Sequence, residues 1–192
     1  ADAKIDEQGV AELLLMGPGR TPGCGVFYGI RELRPGEYMM VSRKEIQKKR
    51  WWKLLDAPHT ESFEQTADHV RFLVTDAIER QLVSDVPLGT FLSGGLDSSL
   101  ISALASKSTN GATLKTFSLT YRDNQRYFRA SRFQPDSDDQ YIGEMAGAID
   151  NEHHIVTLEH TDLAKALFTA VDARDLPGMA DVDSSLLLFC KE

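Results

Sequence analysis

Cysteine, positive charge and long apolar runs are all scarce in this 192-residue sequence. Cys24 and Cys190 are its two cysteines. Their separation fits no zinc-binding spacing, and two thiols are too few for a disulfide scaffold of this size. They read as small buried hydrophobes in a reduced, cytoplasmic setting. The longest apolar run is five residues, Leu186–Cys190, far short of the ~20 that a membrane-spanning helix needs. No basic and apolar leader opens the chain, so no signal peptide is expected. A start at Ala1 rather than Met reads as a piece of something longer. Lys and Arg number 21 against 29 Asp and Glu, a formal charge of −8. That balance disfavours general nucleic-acid binding, which needs a basic face to displace counterions. The kinase-type phosphate loop G-x-x-x-x-G-K-[ST] is missing too, as are internal repeats and low-complexity tracts.

What is there divides into two regions. Residues 1–56 are rich in glycine and carry a short helix candidate, Glu7–Met16, with Val10, Leu13 and Leu14 on one face. The breaker cluster Gly17–Gly23 follows and reads as a structural turn, because its prolines remove N–H donors. Strand-like runs Val26–Ile30 and Tyr38–Val41, joined through Arg34-Pro35-Gly36, predict a hairpin. Lys44–Lys53 is basic and reads as a solvated face, and Leu54–Pro58 as a linker.

From Ser62 the pattern changes. Ser62 and Gln65 have the spacing of a capping box. Phe63, Ala67, Val70, Val74, Ala77, Ile78 and Leu82 recur at helical spacing, which predicts one amphipathic helix over Ser62–Leu82. Then come a strand at Leu88–Leu92, a helix at Ser98–Lys107 with Leu100, Ile101, Leu104 and Ala105 inward, and a strand at Thr113–Tyr121. A polar loop leads to a helix at Asp138–Ile149, a strand at His154–Leu158, and helices at Thr161–Ala173 (capped by Thr161 or Asp162) and Asp183–Lys191. Strands alternating with helices predict an α/β protein with a doubly wound parallel sheet. Ligands in such sheets bind beyond the carboxyl ends of the strands.

The segment after Leu92 occupies that position. Ser93-Gly94-Gly95-Leu96-Asp97-Ser98-Ser99 joins a strand to a helix. Its glycines permit a tight turn and close approach of a ligand to the main chain. Successive N–H groups form an anion nest, and the helix N-terminus adds donors and partial positive charge. Ser93, Ser98 and Ser99 supply hydroxyls. Asp97 would repel a bare phosphate, but Mg²⁺ favours carboxylate together with phosphate oxygens. The loop therefore reads as a cradle for Mg-pyrophosphate.

Ser93–Ser99 is identical to the pyrophosphate loop of asparagine synthetases, and Ser84-Asp85-Val86-Pro87 also resembles that family. Gly23–Leu33 with Pro35-Gly36 is similar to the end of the family's glutaminase domain. Thr116–Leu119, Asp138–Tyr141, His153-His154 and Asp172–Ser185 resemble later family segments. The resemblance implies an ATP-pyrophosphatase fold of the adenine nucleotide alpha hydrolase type. It implies residues 1–56 as the end of a glutaminase domain and 57–192 as an incomplete synthetase domain. The family activates aspartate with ATP to β-aspartyl-AMP, which glutamine-derived ammonia converts to asparagine. Carried over, Ser93, Gly94, Gly95, Ser98 and Ser99 would hold pyrophosphate and Asp97 would hold Mg²⁺ and act in catalysis. Leu92 and Leu119 would contact adenosine through the backbone, and Asp175 would be a catalytic aspartate near the phosphates. The expected partners are small molecules (ATP, aspartate, glutamine or ammonia), with no nucleic acid and no membrane. A homodimer is one assembly the resemblance allows.

Three departures matter. Ala1 is not the cysteine nucleophile of the glutaminase domain. The family's second loop, S-G-E-G-x-D-E, does not occur, and Asp172 stands where a glutamate is common. The stretch by itself is therefore not expected to catalyse the full reaction. Alternatives are a β-lactam- or peptide-cyclising amide ligase and a non-catalytic nucleotide-binding module. A pyrophosphatase acting on RNA would need a basic surface and paired cysteines, neither of which occurs. Arg122, Arg126, Arg129 and Arg132 lie among Tyr121, Tyr127, Phe128 and Phe133, and read as a structural insertion or a lid beside the site. Adjacent His153 and His154 point to opposite faces of a strand and do not read as metal ligands.

Overall fold

The structure, a computed structural model, describes residues 3–108, 112–132 and 136–192. Phe133 of the arginine and aromatic segment lies outside them. The chain forms two compact units, Ala1–His59 with Phe168–Asp183, and Thr60–Leu167 with Ser184–Glu192.

In the first unit, α1 spans Glu7–Met16. Asp6 caps it by accepting the Gly9 N–H at 2.8 Å, and Gly17, at φ 58°, ends it. The expected apolar face is not the buried one. Val10 and Leu14 are exposed, while Gly9 and Glu12 face inward. Gly9 sits so close to the Val26 carbonyl that no side chain would fit. Glu12 accepts the Thr21 N–H at 2.9 Å, and this bond holds its carboxyl below the usual glutamate range.

The hairpin is shifted from its expected place. β1 (Glu37–Val41) pairs antiparallel with β2 (Ile46–Arg50), with Glu37 opposite Arg50 and Val41 opposite Ile46. Ser42 and Glu45 close the turn. Val26–Ile30 is not a strand, and Phe27 makes only an isolated bridge to Ile5. Left-handed backbone at Gly23 and Gly29 interrupts any extended run there. The basic segment becomes β2 because a short local turn pairs it with the apolar run before it.

The second unit opens with α2 (Phe63–Gln81), where both arms of the capping box form: Gln65 N–H to Ser62 Oγ and Ser62 N–H to Gln65 Oε1. Phe63, Ala67, Val70 and Ala77 of its apolar stripe are exposed, Phe63 to 84%, while Val74, Ile78 and Leu82 are half-buried. β3 (Gly89–Phe91), β4 (Leu114–Tyr121) and β5 (Asn151–Leu158) form a parallel sheet in the order β3-β4-β5. Phe91 pairs with Phe117, and Phe117 with His154. The intervening helices are α3 (Leu96–Ser108), α4 (Asn124–Tyr127) and α5 (Asp138–Ala148). α6 (His160–Arg174) and α7 (Ala180–Phe189) follow. The α/β alternation and the parallel sheet are those expected from the sequence.

Several boundaries move. α3 begins at Leu96, two residues early, which puts Asp97 in its first turn. α6 begins at His160, because Glu159 O accepts the N–H groups of Asp162 and Leu163; neither Thr161 nor Asp162 is the cap. The sheet unit centres on Leu92, Leu114, Thr116, Ser118, Ala105 and Ser102, all buried. Leu100 and Ile101 are exposed, contrary to the helical reading. Ser102 is buried in their place, its hydroxyl 2.8 Å from that of Thr90. The cysteines are corrected as well: Cys24 is half-buried, Cys190 is exposed, and both are free. Among the described residues, no helix is long and apolar enough to cross a membrane.

Candidate functional site

β3 ends at Phe91, and the chain turns beyond the carboxyl edge of the sheet into α3. Leu92 anchors this turn. It is buried, its N–H donates to the Phe117 carbonyl at 2.8 Å, and its carbonyl accepts the Ser118 hydroxyl. Both backbone polar groups of Leu92 are thus engaged with β4, and adenosine could reach only its carbonyl's second lone pair. Leu119 lies on β4, opposite Val156 of β5.

The loop closes on itself through hydroxyls. Ser98 Oγ accepts the Ser93 N–H at 3.2 Å and donates to the Gly95 carbonyl at 3.2 Å. The Ser93 and Ser98 hydroxyls are 3.0 Å apart. With the Ser98 proton on Gly95 O, the Ser93 hydroxyl donates to Ser98. A phosphate oxygen entering the loop would compete for the donors that now face one another. Asp97 stands exposed in the first turn of α3, where the helix leaves N–H groups without intrahelical partners. The structure thus brings together Ser93, Gly94, Gly95, Asp97, Ser98 and Ser99. Asp175 belongs to the other unit, where it adopts a left-handed backbone, φ 60°.

The two glycines differ. Gly94 has φ +78°, and a side chain on it would meet the Asp138 carbonyl at 2.9 Å and Tyr141 Cβ at 3.1 Å. At Gly95 the nearest atom to an added Cβ is Ser93 Oγ, at 3.6 Å. The first turn of α5 therefore forms a wall of the loop. Sequence reasoning assigned that turn no role, and Asp138-Asp139-Gln140-Tyr141 was the available signal. The Tyr141 hydroxyl donates to Asp136 at 3.3 Å, and the negative charge of Asp136 raises the phenol above its usual value. Arg122 pairs with Glu159 at 2.7 Å, linking the ends of β4 and β5, and that bond raises its already high pKa. Arg126 stacks over the Tyr127 ring.

The chemistry fits Mg²⁺ held jointly with a nucleotide. Asp97 offers a carboxylate beside hydroxyls, and Mg²⁺ commonly keeps several waters and takes one or two carboxylates plus phosphate oxygens. Among the described residues no group of three or more His, Cys, Asp or Glu could hold a metal alone.

A parallel α/β sheet with this strand–loop–helix at its carboxyl edge defines an ATP-pyrophosphatase type of nucleotide-binding protein. A family model described as asparagine synthase matches residues 69–192, and the chain belongs to that family. It is 47% identical over 193 residues to asparagine synthetase [glutamine-hydrolyzing] 3 of Bacillus subtilis, covering 99% of this chain and 31% of that relative. A putative asparagine synthetase [glutamine-hydrolyzing] 2 of Methanocaldococcus jannaschii is 33% identical over 90 residues, 47% of this chain and 18% of its own length. The amidase chyE of Penicillium rubens is 27% identical over 160 residues, 79% of this chain and 24% of its own. The chain thus spans less than a third of the length of each.

Proposed function

We propose that this chain supplies the ATP-binding part of a glutamine-hydrolysing asparagine synthetase. The observation that carries the reading is the Ser93–Ser99 loop, rooted on β4 and closed by hydroxyls that can turn to phosphate. Residues 1–56 are read as the end of the glutaminase domain and 57–192 as the first part of the synthetase domain.

In the proposed reaction an oxygen of the aspartate side-chain carboxylate attacks the α-phosphorus of ATP. The bond to pyrophosphate breaks, and pyrophosphate leaves with the electron pair. Ammonia then attacks the acyl carbon, nitrogen loses a proton, and AMP departs with one former carboxylate oxygen. Ser93, Gly94, Gly95, Ser98 and Ser99 hold the leaving pyrophosphate by N–H and O–H donation. Asp97 holds Mg²⁺, which when bound neutralises charge on the leaving group. Asp175 is proposed as a second acidic residue of the ATP chemistry, and Leu92 and Leu119 as adenosine contacts. The enzyme is placed in the cytoplasm, in keeping with two free cysteines.

The test uses the full-length protein with aspartate labelled with ¹⁸O in its side-chain carboxylate. Label is expected in AMP and not in pyrophosphate. Label confined to asparagine, or found in pyrophosphate, would overturn the adenylate route.

A further inference from the structure

Asp183 is the first observation. Its carboxylate ties together the two ends of the α6–α7 connection. Arg174, the last residue of α6, donates from Nη1 to Asp183 Oδ1 at 2.8 Å. Met179, just before α7, donates its N–H to Asp183 Oδ2 at 2.8 Å. The Asp183 side chain is only 15% exposed, so this is a sheltered ion pair with an added charge-assisted bond, stronger than a solvated surface pair.

Gly178 is the second. A Cβ there would collide with Asp183 Oδ2 and stand 2.9 Å from Arg174 Cζ. The connection folds over the ion pair so closely that no other residue fits with the pair intact. Asp175 is the third. It follows Arg174 at φ 60°, and its N–H donates to the Asp172 carbonyl at 3.3 Å. Left-handed backbone often ends a helix, usually on glycine. Here the position carries a carboxylate, one of the few side chains that tolerate it. The clasp closes on Arg174, the residue before Asp175, and the left-handed turn sets the backbone from which that carboxylate projects.

We infer that Asp183 is a positioning residue. By holding Arg174 and the Met179 N–H it orients Asp175, and it affects ATP chemistry only through Asp175. This rests on the role proposed above for Asp175.

The test is a double-mutant cycle in the full-length protein, read in Mg-ATP affinity by equilibrium dialysis and in aspartate-dependent ATP–pyrophosphate exchange. The variants are Asp183→Ala, Asp175→Asn and the pair, with Asp175→Asn chosen because asparagine keeps the left-handed backbone. Asp183→Ala is expected to lower kcat/KM for exchange about tenfold, and to change affinity or exchange by less than about twofold once Asp175 is already Asn. Gly178→Ala, which opens the clasp from the other side, is expected to show the same coupling, and carries the cycle should Asp183→Ala fail to fold. Equal losses in both backgrounds, no loss from either clasp variant, or a silent Asp175→Asn would overturn the inference. An unmutated protein without exchange overturns the functional reading instead, and leaves Asp183 nothing to position.

Discussion

Gly94 and Gly95 are neighbours with different tasks, and the difference is measurable. Gly94 is fixed by the protein: its φ is +78° and the Asp138 carbonyl would lie 2.9 Å from a side chain. Gly94→Ala should therefore cost about 1–2 kcal/mol in left-handed strain alone, seen as a lower urea midpoint. Gly95 has room, with 3.6 Å to the nearest atom. Gly95→Ala should change the unfolding free energy by less than about 0.5 kcal/mol, as at ordinary surface sites, yet weaken Mg-ATP binding if the main chain here lines the proposed pyrophosphate cradle. Unchanged affinity in Gly95→Ala would count against close approach at this residue. The sequence showed both glycines and the serines, since a strand–loop–helix with that composition has few other uses. It could not show that Asp138 and Tyr141 press on Gly94, because that contact joins segments more than forty residues apart.

Helices were legible where a local device defines them. Ser62 and Gln65 cap α2 as their spacing requires. Ser62→Ala should cost about 1 kcal/mol, measured by urea denaturation. Boundaries moved where no side chain caps the first turn, as at Leu96 and His160. β2 was missed because Gln47, Lys48, Lys49 and Arg50 give no period-two alternation; the strand exists through its pairing with β1. Burial was least legible. Phe63 and Leu100 follow helical spacing yet remain exposed, while Ser102 and Thr116 are buried and satisfied by hydrogen bonds.

The sheet also carries a pH dependence. His153 Nδ1 lies 2.8 Å from the Thr116 hydroxyl, which donates to Asn151 Oδ1 at 2.7 Å. The Thr116 proton is committed to Asn151, so His153 is the donor at Nδ1. Burial, and then neighbouring His154, lowers its pKa below the ordinary 6.5. The unfolded chain therefore takes up a proton first as pH falls. Stability from this site is full above about 6.5 and declines below it, towards the folded pKa. The melting temperature should fall between about pH 7.5 and 5.5, and less so in His153→Gln. An identical fall in the variant would assign the effect to other groups.

At the scale of the molecule, the parallel sheet places the loop where open α/β sheets hold their ligands. The fold class followed from alternating strands and helices, and the family from the seven-residue loop; the match over residues 69–192 agrees with both. No local pattern in the sequence marks the grouping of Phe168–Asp183 with the N-terminal residues. The central claim is that Ser93–Ser99 cradles the pyrophosphate released when aspartate is adenylated. Its most direct test is ATP–pyrophosphate exchange by the full-length protein, with and without aspartate, beside Asp97→Ala. The expected result is exchange that requires aspartate and falls at least about a hundredfold in the variant. Exchange that ignores aspartate, or survives unchanged in Asp97→Ala, would contradict the claim.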